Sequence, residues 1–239
     1  MYKNITYNKL IEVKKGQTGK GLLIENDGHI IGHHDTIQQI KEDINNNHKF
    51  VIPDKFTVSA VFQKYGIKNA NGRIYPEDVL KREVNKYINE KIKTRSAIGA
   101  LDHPDSSTLS GHDVSHVITN LEWKGRTLIG EMDLHLSPGF KRYGVCSTSG
   151  DYVATMLMDN ILIGVSSRAV GSVEDKLGVL MVGEDLELVG WDVVCENSTP
   201  GAKIGMTRDD IMQYVESDET HENKPLVNEK LEKIKKILL

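Results

Sequence analysis

The chain has 239 residues, 38% of them hydrophobic and 27% charged, which suits one main globular domain with appendages and excludes both a large modular machine and a wholly disordered chain. Thirty basic against 34 acidic side chains leave a net charge of −4, which offers no general electrostatic hold on nucleic acid or anionic membrane. No apolar run approaches the roughly 20 residues that cross a bilayer. Met1-Tyr2-Lys3-Asn4 lacks the pattern of a signal peptide, so the chain is expected to stay where it is made. The two cysteines, Cys146 and Cys195, are too few for a disulfide framework and read as packing thiols.

Residues 1–55 are interrupted by Lys14-Lys15-Gly16, Asn26-Asp27-Gly28 and Asn45-Asn46-Asn47, and read as a detachable N-terminal region. A folded domain is expected over 56–204. It opens with Phe56 to Phe62, whose alternating apolar positions predict a half-buried strand. Pro76-Glu77-Asp78 then starts a helix, with Val79, Leu80, Val84, Tyr87, Ile88 and Ile92 along one face. His116 to Trp123 and Thr127 to His135 flank Lys124-Gly125-Arg126 and predict a hairpin. Asp151 to Asn160 suits a short helix, while Ile161 to Ser167, Gly178 to Val182 and Glu187 to Cys195 suit strands. Residues 205–239 read as a helical tail: Thr207 to Val215, a polar linker, and an amphipathic Leu226 to Leu239 read first as a solvated helix, with docking on a scaffold core or pairing with a second copy of the chain as the alternative.

A hydrolytic nucleophile needs a neighbouring base to take its proton, and Ser166 with His103 is the first pair to consider. Gly164-Val165-Ser166-Ser167-Arg168 places hydroxyls in an apolar strand beside a fixed positive charge, and Gly99-Ala100-Leu101-Asp102-His103-Pro104 places a histidine before a proline. A third block, Asn69-Ala70-Asn71-Gly72-Arg73-Ile74-Tyr75-Pro76, precedes the helix. A metal site is the rival chemistry, since His112 and His116 are four apart with His103 nearby. The β-branched run after His116 and the lack of a zincin glutamate speak against it, so neither metal nor cofactor is expected.

These three blocks resemble the prohead core proteases of T-even-type contractile-tailed phages, a family similar in fold to the herpesvirus assemblins. Val189-Gly190-Trp191-Asp192-Val193-Val194 and Trp123-Lys124-Gly125 add weaker likeness, and the whole spans roughly residues 56 to 203. The resemblance implies an α+β fold, a mostly antiparallel β-barrel wrapped by a few helices. It implies His103 as general base, Ser166 as nucleophile with Ser167 as competitor, and Asp192 as the acid orienting His103, with Asp102 and Asp113 as alternatives. Arg168 is left between three roles: oxyanion support, binding of an acidic substrate residue, and a structural ion pair.

The implied activity is that of a serine endopeptidase acting on phage scaffold, core and major capsid proteins inside the assembling prohead, in the host cytoplasm. The family's preference for cleavage after glutamate in Leu/Ile-x-Glu directs attention to Leu10-Ile11-Glu12, Leu23-Ile24-Glu25 and Ile40-Lys41-Glu42 as self-trimming sites of a zymogen. The alternative is a catalytically inactive structural or scaffolding capsid component on the same fold.

Overall fold

The computed structural model describes residues 11–32, 54–104 and 109–195, with the isolated positions 40, 42, 46 and 52. The expected tail elements, Thr207 to Val215 and Leu226 to Leu239, lie outside them. The elements whose bounds are described are β1 Gly19–Gly32, β2 Thr57–Lys64, β3 Arg73–Ile74, α1 Glu77–Tyr87, β4 Ile98–Ala100, β5 Val114–Lys124, β6 Thr127–Leu134, α2 Pro138–Tyr143, α3 Ser149–Met158, β7 Gly164–Lys176, β8 Val179–Val182 and β9 Glu187–Val194.

Local chemistry explains most boundaries. Pro76 precedes α1, Glu77 and Asp78 meet the positive end of its dipole, and Val79, Leu80, Val84 and Tyr87 are buried against the sheet. A single π-helical turn, Ile88–Ile92, ends that helix. Gly125, with φ +54°, makes the tight turn between β5 and β6. In α3 a reciprocal cap forms: Thr148 Oγ1 accepts from the Asp151 amide at 3.3 Å and Asp151 Oδ2 accepts from the Thr148 amide at 3.0 Å.

The strands form one sheet in the order β3-β8-β7-β1-β2-β6-β5-β4, with β9 beside β7. Every ladder is antiparallel except β3 with β8. The class is therefore α+β and mostly antiparallel, but the expected barrel is not closed. Closure would need a ladder between β4 and β9, and only one parallel bridge, Leu101 to Val193, joins that region. β4 has three residues and the chain turns away at Asp102, whose φ is +62°, so no ladder can extend.

No strand is expected before Phe56, yet β1 runs through the middle of the sheet, between β7 and β2. The core between sheet and helices is built from Leu23, Phe56, Phe62, Leu80, Ile118, Leu128, Met132, Phe140 and Trp191, all essentially inaccessible. Of the two thiols, Cys146 packs at the edge of this core, with Sγ 3.3 Å from Thr155 Oγ1. Cys195 is exposed, contrary to its reading as a packing residue, because it follows the last residue of β9.

Candidate active site

β7 and β9 bring Ser166 and Asp192 into register as direct cross-strand partners. At the end of β4 the left-handed turn at Asp102 is held by its amide, which donates to Val193 O at 2.7 Å, and this delivers His103 across the two strands. His103 Nε2 lies 2.6 Å from Ser166 Oγ and His103 Nδ1 lies 2.8 Å from Asp192 Oδ2. The structure thus joins His103, Ser166 and Asp192 in one hydrogen-bonded chain. Ser167 faces the other side of β7, as alternation requires, and its Oγ is buried with no hydrogen-bond partner among the described residues.

Asp192 is fully buried and each of its oxygens is used. Oδ1 accepts from the Ala100 amide at 3.0 Å and from Arg168 Nη2 at 3.4 Å, and Oδ2 accepts from Arg168 Nε at 3.0 Å beside His103. Burial pushes this carboxyl up, but hydrogen bonds from His103 and Arg168, with the Arg168 charge, outweigh it and hold the group below the usual carboxylate range. Of the roles considered for Arg168, the structure shows the ion pair: the side chain is 2% exposed and clasps Asp192. An arginine so placed orients the acid that orients the base.

Gly99 allows this approach. A Cβ there would meet Trp191 O at 2.2 Å and the His116 ring at 2.4 Å, so β4 can lie this close to β9 only with glycine. His116 itself is fully buried on β5, with Nδ1 2.9 Å from Ser115 Oγ, whereas His112 is exposed in the preceding turn. Their spacing falls on a turn and a strand, so the helix geometry of a two-histidine metal motif does not arise. Asp113, one of the alternative acids, is exposed in the same turn, and Asp102 sits at the strand-leaving turn with its side chain exposed.

Burial pulls His116 down to about 4 against the attraction of Asp192. A histidine that is neutral when folded and ordinary when unfolded binds more protons in the unfolded state between these values. Its contribution is complete above about pH 6.5 and is lost as pH falls toward 4, by about 3 kcal/mol. Urea unfolding across this window should show that loss, and His116→Gln should flatten it.

One contact was not legible in the sequence. Asn26, on β1, places Oδ1 against the Ser166 hydroxyl, which donates to it. Ser166 is 0% exposed in this arrangement. Its neighbour Glu25 is also buried, in contact with the Asn69 to Tyr75 block. The signal that was available is the Leu23-Ile24-Glu25 pattern, which marks the segment without locating it.

A hydroxyl, an imidazole and a carboxylate bonded in series on a mostly antiparallel sheet is the constellation that serine hydrolases use. The prohead core protein serine protease family matches residues 19–213, and the chain belongs to that family. The match begins at the first residue of β1, well before the start of the motif blocks. The chain is 31% identical over 147 residues to the prohead core protein protease of Enterobacteria phage T4, covering 61% of this chain and 66% of that relative. The structure of the bacteriophage T4 capsid assembly protease superposes with a TM-score of 0.58 at 25% identity, over 74% of this chain and 98% of that one. No helix among the described residues is long and apolar enough to cross a membrane.

Proposed function

We propose that this protein is a serine endopeptidase that processes capsid and scaffold proteins during maturation of a phage prohead, cutting after glutamate in Leu/Ile-x-Glu sequences and trimming its own N-terminal region. The observation that carries the reading is His103 held between Ser166 and Asp192 at 2.6 and 2.8 Å in a chain of this family.

Ser166 attacks the peptide carbonyl while His103 takes its proton, and His103 then gives that proton to the leaving amine. Asp192 fixes the ring with Nδ1–H toward itself and stabilises the imidazolium that forms. Water, deprotonated by the same ring, releases the acyl group. Arg168 holds Asp192 through Nε and Nη2, and backbone amides meet the oxyanion. An inert assembly component would have no use for a buried acid, a half-buried base and a buried hydroxyl bonded in this order.

The test is cleavage of a Leu/Ile-x-Glu peptide, with the chain's own termini read by mass spectrometry. Ser167→Ala should retain both activities, while Ser166→Ala and His103→Ala should lack them. Loss with Ser167→Ala together with retention in Ser166→Ala overturns the assignment.

A further inference from the structure

His116 is a fully buried imidazole that the acyl-transfer steps above do not use. It sits on β5, with Gly99 of β4 and Leu134 of β6 as its cross-strand partners. Gly99 carries no side chain, and the His116 ring takes that space. The point where a Gly99 Cβ would stand is 2.4 Å from both Cε1 and Nε2 of the ring, and 2.2 Å from Trp191 O. The ring therefore reaches over β4 to the carbonyl edge of β9, along the line where the sheet fails to close.

Its neighbours decide where its proton sits. Ser115 Oγ lies 2.9 Å from His116 Nδ1 and 3.3 Å from Gly99 O, and a hydroxyl has a single proton to give. When Ser115 donates to Nδ1, the neutral imidazole carries its own proton on Nε2, toward Trp191 O. The other tautomer sets the lone pairs of Nε2 and Trp191 O against each other in a buried place, where neither can turn to water. Nε2 makes no hydrogen bond of ordinary geometry among the described residues, and the Trp191 carbonyl is the backbone acceptor that favours a proton there.

The peptide unit that holds Trp191 O leads directly into Asp192. Across the open seam the Ala100 amide donates to Asp192 Oδ1 at 3.0 Å, the Asp102 amide donates to Val193 O at 2.7 Å, and His103 Nδ1 meets Asp192 Oδ2 at 2.8 Å. These bonds serve residues 192 and 193, and His116 meets β9 one residue earlier. We propose that His116 is a positioning residue for the reaction: by filling the space over Gly99 and turning Nε2–H to Trp191 O, it sets the distance between β4 and β9 and so holds Asp192 against His103. The inference rests on the protease reading above and deepens it. His116 touches neither the substrate nor the reacting atoms; it acts through the backbone of β9. Without it the seam can widen, the acid and the base drift apart, and a displacement of about 1 Å is enough to slow such a reaction about a hundredfold.

The experiment uses the full chain, a Leu/Ile-x-Glu peptide, and the downfield proton resonance of the His103 Nδ1–H bonded to Asp192, assigned by its absence from His103→Ala. His116→Leu keeps much of the volume and removes both ring nitrogens. It should lower kcat by about a hundredfold with KM unchanged, and the resonance should disappear or move upfield. His116→Gln, which offers an N–H toward Trp191 O, should bring kcat back to within about tenfold of wild type and restore the resonance. Wild-type kcat in His116→Leu overturns the proposal. Equal losses in the leucine and glutamine variants with the resonance intact also overturn it, since the ring would then only fill space. Ser115→Ala removes just the hydroxyl that fixes the tautomer and should lower kcat by about tenfold; an unchanged kcat overturns the role given to Nε2–H. If the wild type does not cut the peptide, the protease reading fails and the resonance decides the seam separately: a signal that His116→Leu leaves in place overturns the positioning role.

Discussion

Ser166→Ala is expected to lower kcat for a Leu/Ile-x-Glu peptide by about 10⁶-fold, and Asp192→Asn by about 10⁴-fold, with little change in KM in either case. The two numbers differ because the two groups do different work. Without Ser166 no covalent step occurs, and what remains is the effect of binding and of oxyanion stabilisation on attack by water. Without the Asp192 charge the hydroxyl and imidazole remain, but the ring is held wrongly. Oδ1 of Asp192 accepts from the Ala100 amide and from Arg168, and Oδ2 accepts from Arg168 and faces His103 Nδ1. An asparagine must put its NH₂ at one of these places, against donors. If it faces His103 it favours the tautomer with the proton on Nε2, which cannot receive the proton of Ser166.

The same substitution leaves the Arg168 guanidinium, 2% exposed, beside a neutral amide in place of its carboxylate partner. Breaking a buried pair from one side costs about 3–5 kcal/mol, so Asp192→Asn should also be clearly less stable, whereas Ser166→Ala should not. Single-turnover rates normalised to the folded fraction by circular dichroism separate the two effects. An Asp192→Asn protein that is folded and within tenfold of wild type would remove Asp192 from the acid–base machinery.

The parts legible in the sequence were those with local causes. Pro76 with Glu77 and Asp78 announces α1, Gly125 announces the β5–β6 turn, and Gly99 to Pro104 and Gly164 to Arg168 carry enough unusual chemistry to be singled out. β1 escaped because its centre, Asn26-Asp27-Gly28, reads as a turn, and the polar side chains beside and within it have distant partners: Glu25 meets residues 44 to 50 positions on, and Asn26 meets Ser166, 140 positions on. The barrel expectation failed for a similar reason: whether β4 and β9 form a ladder depends on where β4 stops, and the turn at Asp102 decides that.

Arg168 was ambiguous because adjacency to Ser166 and Ser167 suggests contact with substrate, while its actual partner lies 24 positions on. Nor could alternation separate Ser166 from Ser167. Gly164 to Ala169 of β7 and Gly190 to Val194 of β9 are buried on both faces, so no exposed side marks the strand. His103 makes the distinction, and it arrives from another element.

Trp191→Ala is expected to lower the unfolding free energy by about 3–5 kcal/mol, a large share of the roughly 5–15 kcal/mol available to a domain. Trp191 is fully buried and packs edge-on against Phe62 of β2 at 5.4 Å and Tyr87 of α1 at 5.1 Å between ring centroids. It ties together three elements that sequence order keeps apart, so truncation opens a cavity whose walls belong to separate parts of the sheet and to a helix. These cannot all collapse inward at once. Trp191→Phe should cost much less, because an aromatic ring still meets both neighbours and the indole N–H, which has no hydrogen-bond partner among the described residues, is removed as well. Urea unfolding provides the check: the midpoint should fall strongly for alanine and slightly for phenylalanine, with the slope unchanged in both. The effect should reach the site, since Asp192 follows on the same strand and the Trp191 carbonyl faces Gly99 across the narrow gap between β4 and β9. A loosened β9 lets the acid and the His103 turn separate, so the alanine variant should lose kcat even at temperatures where it remains folded, while an alanine variant as stable as wild type would show that the ring fills space without joining the elements.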